Sequence, residues 1–418
     1  MAAIPSSEPI FTLRHDWEQP LIERLSLATE VLRAANGDET RTPLRLLPRR
    51  QLTYYVGHDP LLRALVADWA ERYQGLPALY PLSQSGVCVL RRAAAGTSAL
   101  TISPDAWTGA LYRRTYPAVR LAETGYSGGD DDRALCLLLW DGGSQTVTVL
   151  NEDPGVLYLD GPLSQDAPAG SMLLPLRQGR CADAIALEQW SGGWAGGTLT
   201  VRLDTEAYLP VTADPLLSNL PVWPDGDWAE ATSASAQSTL TAFDFSQADP
   251  AWRRDDEVPI TTFTRAYNAT GADAAAWVER LYAVRGRAGG FWIADGLAPD
   301  MTLVSDVGLG GQTLYVDGAD TAQGVWTQGA AVRVQPPVIN PGQAIGHYLC
   351  DAPFASMIEL PAGSVQTIHP AGSAVSRLLP CRLDADAVEL GWTAPQTLQL
   401  QLTSRRVSIP PAAGGGGY

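Results

Sequence analysis

Proton transfer near neutral pH usually relies on histidine, and this chain has four: His15, His58, His347 and His369. None stands at metal-ligand spacing from another His or a Cys, and neither a G-x-S-x-G nor an H-E-x-x-H motif occurs. Each is therefore read as a satisfied core or surface histidine. Asp130-Asp131-Asp132, after Gly128-Gly129, could offer carboxylate oxygens to a hard cation, but the remaining ligands of a calcium loop are missing and the stretch reads as a solvated acidic loop. Gly308-Leu309-Gly310-Gly311 is not followed by the Lys-Ser/Thr of a phosphate cradle and reads as a turn before a strand. Asn268-Ala269-Thr270 matches a glycosylation acceptor, without a secretory signal to bring it to the transferase. The five cysteines, Cys88, Cys136, Cys181, Cys350 and Cys381, lie far apart with no C-x-x-C pair, and neighbours such as Leu135, Leu137 and Leu138 are apolar; the expectation is buried, reduced thiols. Spacing thus assigns no catalytic, cofactor-binding or metal-ligating residue. Two features keep carbohydrate chemistry open. The 45 acidic residues could supply a carboxylate pair for glycoside hydrolysis, and Trp190, Trp194, Trp223 and Trp228 sit among Gly and Pro as sugar platforms often do. The same tryptophans suit core or subunit-contact anchors, because Trp is enriched at interfaces.

The elements that would position such residues are short. With 40 Gly and 31 Pro in 418 residues, the composition points to many turns and strands rather than long helices, and 45% hydrophobic against 18% charged is that of a folded protein. A formal charge of −16 disfavours unaided binding to nucleic acid, whose affinity comes mainly from Lys and Arg displacing counterions. There is no run of eighteen apolar residues, and Met1-Ala-Ala-Ile-Pro-Ser6 lacks a basic segment followed by an apolar core, so neither a membrane span nor a signal peptide is expected.

Part of the chain is written twice. Pro168-Ala-Gly-Ser-Met-Leu-Leu-Pro-Leu-Arg177 returns as Pro370-Ala-Gly-Ser-Ala-Val-Ser-Arg-Leu-Leu-Pro-Cys-Arg382. Trp69-Ala-Glu-Arg72 matches Trp277-Val-Glu-Arg280, Leu100-Thr-Ile102 matches Leu314-Tyr-Val316, Leu135-Cys136 matches Leu349-Cys350, and Leu174-Pro175 matches Leu379-Pro380. These four pairs share one order, with offsets between 205 and 214. The expected fold is therefore mainly β with a few short helices: two tandem diverged copies of a β-sandwich- or barrel-like unit of about 200 residues, each carrying one sheet-packed helix. The divisions are a flexible lead 1–10, a first unit 11–209, a linker 210–240, a second unit 241–405 and a flexible tail 406–418.

Within the first unit, Phe11 to Trp17 alternates as a half-buried strand would, Glu23 to Leu32 is either a short helix or a strand ending at Asn36-Gly37, and Arg41 to Tyr55 alternates again. Asp59 as N-cap, Pro60 in the first turn and Gly75 beyond the end bracket a helix over 61–73, with Leu61, Leu62, Leu65, Val66 and Trp69 on one face. In the second unit Pro259 to Tyr267 is a strand, Asp273 to Val284 the matching helix ended by Gly286 and Gly289-Gly290, and 312–317, 330–335, 347–350, 374–379 and 397–402 are further strands. Trp69, Trp277, Phe291, Trp292, Trp190 and Trp392 are the candidate core or assembly-contact anchors.

The order Phe11-Thr-Leu-Arg-His-Asp-Trp17, Glu23-Arg24-Leu25, Arg41-Thr-Pro-Leu-Arg-Leu-Leu-Pro-Arg-Arg50, a Trp-bearing helix, Gly96-Thr-Ser-Ala-Leu-Thr-Ile102 and Pro168-Ala-Gly-Ser resembles tail-tip proteins of bacteriophages with long non-contractile tails. Arg285-Gly-Arg-Ala-Gly-Gly-Phe-Trp292 resembles a segment of the same proteins, and Ile293-Ala-Asp-Gly296 departs from the aliphatic-Pro that follows it there. The resemblance implies a structural virion protein without catalytic residues or cofactor. It implies a ring joining the tail tube protein to a baseplate hub protein, built in the host cytoplasm; the duplication adds the expectation of three or six copies, three chains presenting six similar units. It leaves open whether the chain is the distal tail ring or a neighbouring hub component.

Overall fold

A computed structural model describes residues 8–34, 38–57, 60–103, 134–181, 183, 185–191, 194–204, 214–227, 231–238, 240–243, 251–254, 260–295, 301–317, 331–337, 344–350, 352–354 and 357–407. His58, Asp59, Gly128 to Asp132 and Trp228 lie outside them, as do most of the lead and tail.

The protein is mainly β. Its described strands pair antiparallel, and two 14-residue α-helices, Pro60–Tyr73 and Gly271–Val284, lie among them. One run of eight strands crosses the molecule in the order Ser233–Gln237, Ile260–Thr270, Thr397–Arg406, Ala387–Ala394, Leu21–Ser26, Arg49–Gly57, Trp194–Leu203, Ala186–Ser191. Alternation decides which face is buried: Leu21, Glu23 and Leu25 point inward from one strand, and Arg50, Leu52, Tyr54 and Val56 from the next. The first helix packs on Arg49–Gly57 and Trp194–Leu203, the second on Ile260–Thr270 and Thr397–Arg406. A single apolar cluster runs beneath both, from Leu52, Tyr54 and Leu199 to Tyr267, Trp277, Trp392 and Leu400.

Pairing by pairing, the two halves repeat one connectivity. The parallel bridge Ile10↔Leu79 has its counterpart in Val222↔Trp292, and Phe11 N–H to Leu79 O at 2.8 Å in Trp223 N–H to Trp292 O at 2.9 Å. Tyr55↔Thr198 corresponds to Ala266↔Gln401, Leu100↔Leu157 to Leu314↔Ile358, and the bridge Ala93↔Ala167 to Val307↔His369. The repeated Pro-Ala-Gly-Ser is one turn built twice. Ser171 Oγ donates to Pro168 O and Ser373 Oγ to Pro370 O, each at 2.6 Å, while Gly170 and Gly372 hold φ of 88° and 82°, where a side chain would be strained.

These registers also sort the sequence matches. Leu100 and Leu314 are equivalent, whereas Leu135-Cys136 and Leu349-Cys350 are not: Cys136 faces Pro175, and the position equivalent to Pro175, Arg377, faces Val332. The counterpart of Leu379 is Arg177, because Gly179 faces Ala78 as Cys381 faces Phe291. Leu174-Pro175 and Leu379-Pro380 are thus a second coincidence. The helix ends and flanking strands make Trp277 the counterpart of Val66, one turn before Trp69, yet each indole meets the corresponding ring edge-on: Trp69 with Phe11 at 5.3 Å, Trp277 with Trp223 at 5.5 Å.

Several local expectations change. Phe11 to Trp17 buries Phe11 and His15 alternately but joins no strand. Glu23 to Leu32 is two strands, Leu21–Ser26 and Thr29–Arg33, and Arg41 to Tyr55 is broken between Glu39–Pro43 and Arg49–Gly57. On the first helix Leu65 is exposed and Val66 carries the contact. Cys88 is exposed because it takes the outward position of its two-residue strand, while Cys136, Cys181, Cys350 and Cys381 are buried free thiols. Within 210–240, Leu216–Leu217 pairs with Leu220–Pro221, Trp223 is buried, and Ser233–Gln237 is a strand. The second helix ends as its glycines foretold: Arg285 is left-handed with φ 52°, and a Cβ on Gly289 would stand 2.4 Å from Val284 O. No helix among the described residues is long and apolar enough to cross a membrane.

Candidate assembly interface

The candidate anchors are mostly interior. Trp277, Phe291, Trp292 and Trp392 are buried; Phe291 stacks on Trp223 with centroids 3.6 Å apart and planes 8° off parallel, and Trp292 Nε1 donates to Leu217 O at 2.9 Å. Trp69 is half-buried between Phe11, Tyr73 and Tyr80, and Trp190 lies in the Ala186–Ser191 strand. Trp223, Trp277, Trp292 and Trp392 therefore present no platform to a sugar.

Among the described histidines, His15 and His369 are held by local bonds. His15 Nδ1 accepts Tyr55 N–H at 3.0 Å and Nε2 lies 3.0 Å from Gln19 O, so the neutral ring with its proton on Nε2 fits both; burial pushes its pKa down to about 4. His347 is pushed to about 4 by burial and by the charge of Arg333, and His369, also lowered by burial, meets the Tyr348 hydroxyl at 2.6 Å. Asn268 donates to Asp227 at 2.6 Å. Among the described residues no three His, Cys, Asp or Glu side chains gather as a metal site would require.

What the fold does build with care is the seam between its halves. Leu21–Ser26, from the first half, lies between its own neighbour Arg49–Gly57 and the second half's Ala387–Ala394, with Glu23 opposite Leu390. Glu23 and Arg50 are almost wholly buried and paired, with N···O distances of 2.6 and 2.8 Å, and Trp392 Nε1 donates to the other carboxylate oxygen at 3.2 Å. Trp392 comes from the opposite half, so the ion pair ties the seam as well as the strand. A charge taken out of water in this way is tolerable only where its partner and hydrogen bonds stay in place.

A hairpin then reaches across. Thr29–Arg33 and Glu39–Pro43 pair with each other and extend over the second half. There Arg382 donates to both oxygens of Glu39, at 2.6 and 2.8 Å, and Arg41 Nη1 to Gly289 O at 3.5 Å. Burial alone would raise the Glu39 carboxyl, but the bonds and charge of Arg382 hold it below its usual value. At the hairpin base Asp386 accepts the Thr29 N–H and hydroxyl, each at 2.8 Å, and the Arg287 N–H at 3.0 Å. These bonds outweigh its own burial and lower its pKa. The Glu39–Arg382 contact joins residues far apart in sequence, and its signal was not readable there.

A scan of protein-family models and a search of curated proteins each find no match.

Proposed function

We propose that the chain is a structural, self-assembling protein of a bacteriophage tail tip, forming a ring that connects the tail tube to the baseplate or hub. The observation that carries this reading is the internal seam: two like units dock side by side through a strand and an overreaching hairpin, an arrangement that extends naturally to further copies. Three chains would offer six similar units, so a six-fold tube could meet a three-fold tip; six chains would offer twelve. The resemblance of Phe11–Trp17, Arg41–Arg50 and Arg285–Trp292 to tail-tip proteins supplies the setting, a virion assembled in the host cytoplasm, and the partners, tail tube protein and hub protein. A formal charge of −16 suits a conduit through which nucleic acid passes without being held.

Native mass spectrometry with electron microscopy of the purified chain tests the proposal. Closed rings of fixed copy number support it, and a monomer at every concentration overturns it. Binding on a glycan array or cleavage of a polysaccharide would favour the carbohydrate-active alternative instead.

A further inference from the structure

The seam inside the chain leaves two strand edges that correspond to its own two sides. Among the described residues Ser233–Gln237 pairs only with Ile260–Thr270, and Ala186–Ser191 only with Trp194–Leu203. Ser233–Gln237 is the second half's counterpart of Leu21–Ser26: Ile22 faces Thr53 as Ser233 faces Thr264, and Thr53 and Thr264 are equivalent positions. Ala186–Ser191 is likewise the first half's counterpart of Ala387–Ala394: Leu187 faces Gly197 as Leu390 faces Leu400.

We propose that the Ser233–Gln237 edge of one chain pairs antiparallel with the Ala186–Ser191 edge of a second copy, repeating the internal seam between molecules. This rests on the self-assembly reading above and names its surface. Carrying over the internal register, in which Glu23 faces Leu390, sets Ala234 opposite Leu187 and Ser235 opposite Ala186 of the neighbour.

Three independent features fit a second copy as the occupant. First, Ser-Ala-Ser-Ala-Gln is exposed at each of its five positions yet carries no charge and no proline, the devices by which a free edge strand normally avoids pairing. The positions of the internal ion pair, Glu23 and Arg50, are taken by Ala234 and Thr261, so covering this edge buries no charge there. Second, the overreaching hairpin has its counterpart in Leu240–Phe243 and Ala251–Arg254, where Ala242 faces Trp252 as Val31 faces Arg41. At the positions of Thr29 and Arg41, which touch the other half, stand Leu240, 55% exposed, and Trp252, 65% exposed. Third, the internal hairpin lands on the turn after the second helix, at Gly289. The corresponding turn after the first helix presents Leu76, 53% exposed. An exposed Trp and an exposed Leu thus occupy the two positions that the repeated seam would bring together, and burying them against each other removes both from water.

The test places one cysteine on each edge, Ser235→Cys with Ala186→Cys, in a Cys88→Ser background that removes the exposed native thiol. Facing antiparallel residues have Cα separations a disulfide spans, and these two edges end opposite sides of the eight-strand run, so a bond between them joins different chains. Mild oxidation of the full chain is expected to give a covalent ladder on a non-reducing gel that stops at the copy number of the closed assembly, with neither single-cysteine variant forming it. Separately, Trp252→Glu is expected to weaken self-association at least tenfold in analytical ultracentrifugation while the urea unfolding midpoint stays unchanged. Assemblies that form normally but give no ladder, and are indifferent to Trp252→Glu, would overturn this seam and leave the ring proposal standing. A chain monomeric at all concentrations would overturn both.

Discussion

Replacing Glu23 by leucine removes the carboxylate that both Arg50 and Trp392 address at the internal seam. Glu23 is 0% and Arg50 5% exposed, so the guanidinium is left without that counter-ion where water does not reach it. Deleting one member of a buried pair costs about 3–5 kcal/mol, and the lost partner of the Trp392 N–H falls within that range rather than adding fully to it. Urea unfolding followed by tryptophan fluorescence and far-ultraviolet circular dichroism reads the change. Because Trp392 belongs to the opposite half, its emission should shift to the red at lower urea than in the parent protein. The companion double variant, Glu23→Leu with Arg50→Met, removes both charges and should recover most of the loss, to within about 1–2 kcal/mol of the parent, since an apolar pair of similar volume often replaces a buried ion pair without penalty. A single variant that loses less than about 1 kcal/mol, or a double variant no better than the single, would refute the view that this pair is sealed into the junction.

Acid should loosen the fold above the range where carboxylates titrate. His15 binds a proton near pH 6.5 when unfolded but only near pH 4 when folded, so its stabilisation is complete above pH 6.5 and is lost as pH falls toward 4. The loss amounts to about 3 kcal/mol, and His347 adds to it in the same direction; His15→Gln should flatten the urea midpoint between pH 6.5 and 4.5. Gly289→Ala should destabilise the protein by about 1–3 kcal/mol, because the new methyl meets the Val284 carbonyl at the end of the second helix; a neutral result in the same assay would show that this turn yields. Among the five thiols, Cys88 should react first with a thiol reagent. Burial raises Cys181 to about 11 and Cys381 to about 12, so these two should react only as the protein unfolds. Arg382→Met should free the hairpin of Thr29–Arg33 and Glu39–Pro43, seen as faster proteolysis of that hairpin with the core midpoint less affected.

Much of the β-rich architecture was legible because its punctuation is local. Asp141-Gly142 and Pro154-Gly155 stand at the turns joining Ala134–Trp140, Gly143–Asp153 and Val156–Leu159, and the two helices announce themselves by helical spacing and by Gly75, Gly286 and Gly289. The duplication was legible too, though through fewer residues than the matches suggested: Pro-Ala-Gly-Ser and Leu100/Leu314 mark equivalent positions, while Leu-Cys and Leu-Pro are dipeptides common enough to coincide. Phe11 to Trp17 misled because alternation reports which side chains face inward, not whether a neighbouring backbone completes the ladder. Ser233–Gln237 carries no apolar pattern at all, and only its pairing with Ile260–Thr270 makes it a strand. Ala387–Ala394 escaped notice although Val388, Leu390 and Trp392 alternate inward, since Gly391 and the flanking alanines dilute the signal. The seam itself could not be read in advance: Glu23 meets Arg50 from 27 residues away and Trp392 from 369.

The proposed closure of this chain into a ring of its own copies is tested most directly by native mass spectrometry across a dilution series. A single discrete species of three or six chains, persisting on dilution, is the predicted result. A monomer throughout, or an open series of sizes with no preferred number, would contradict it.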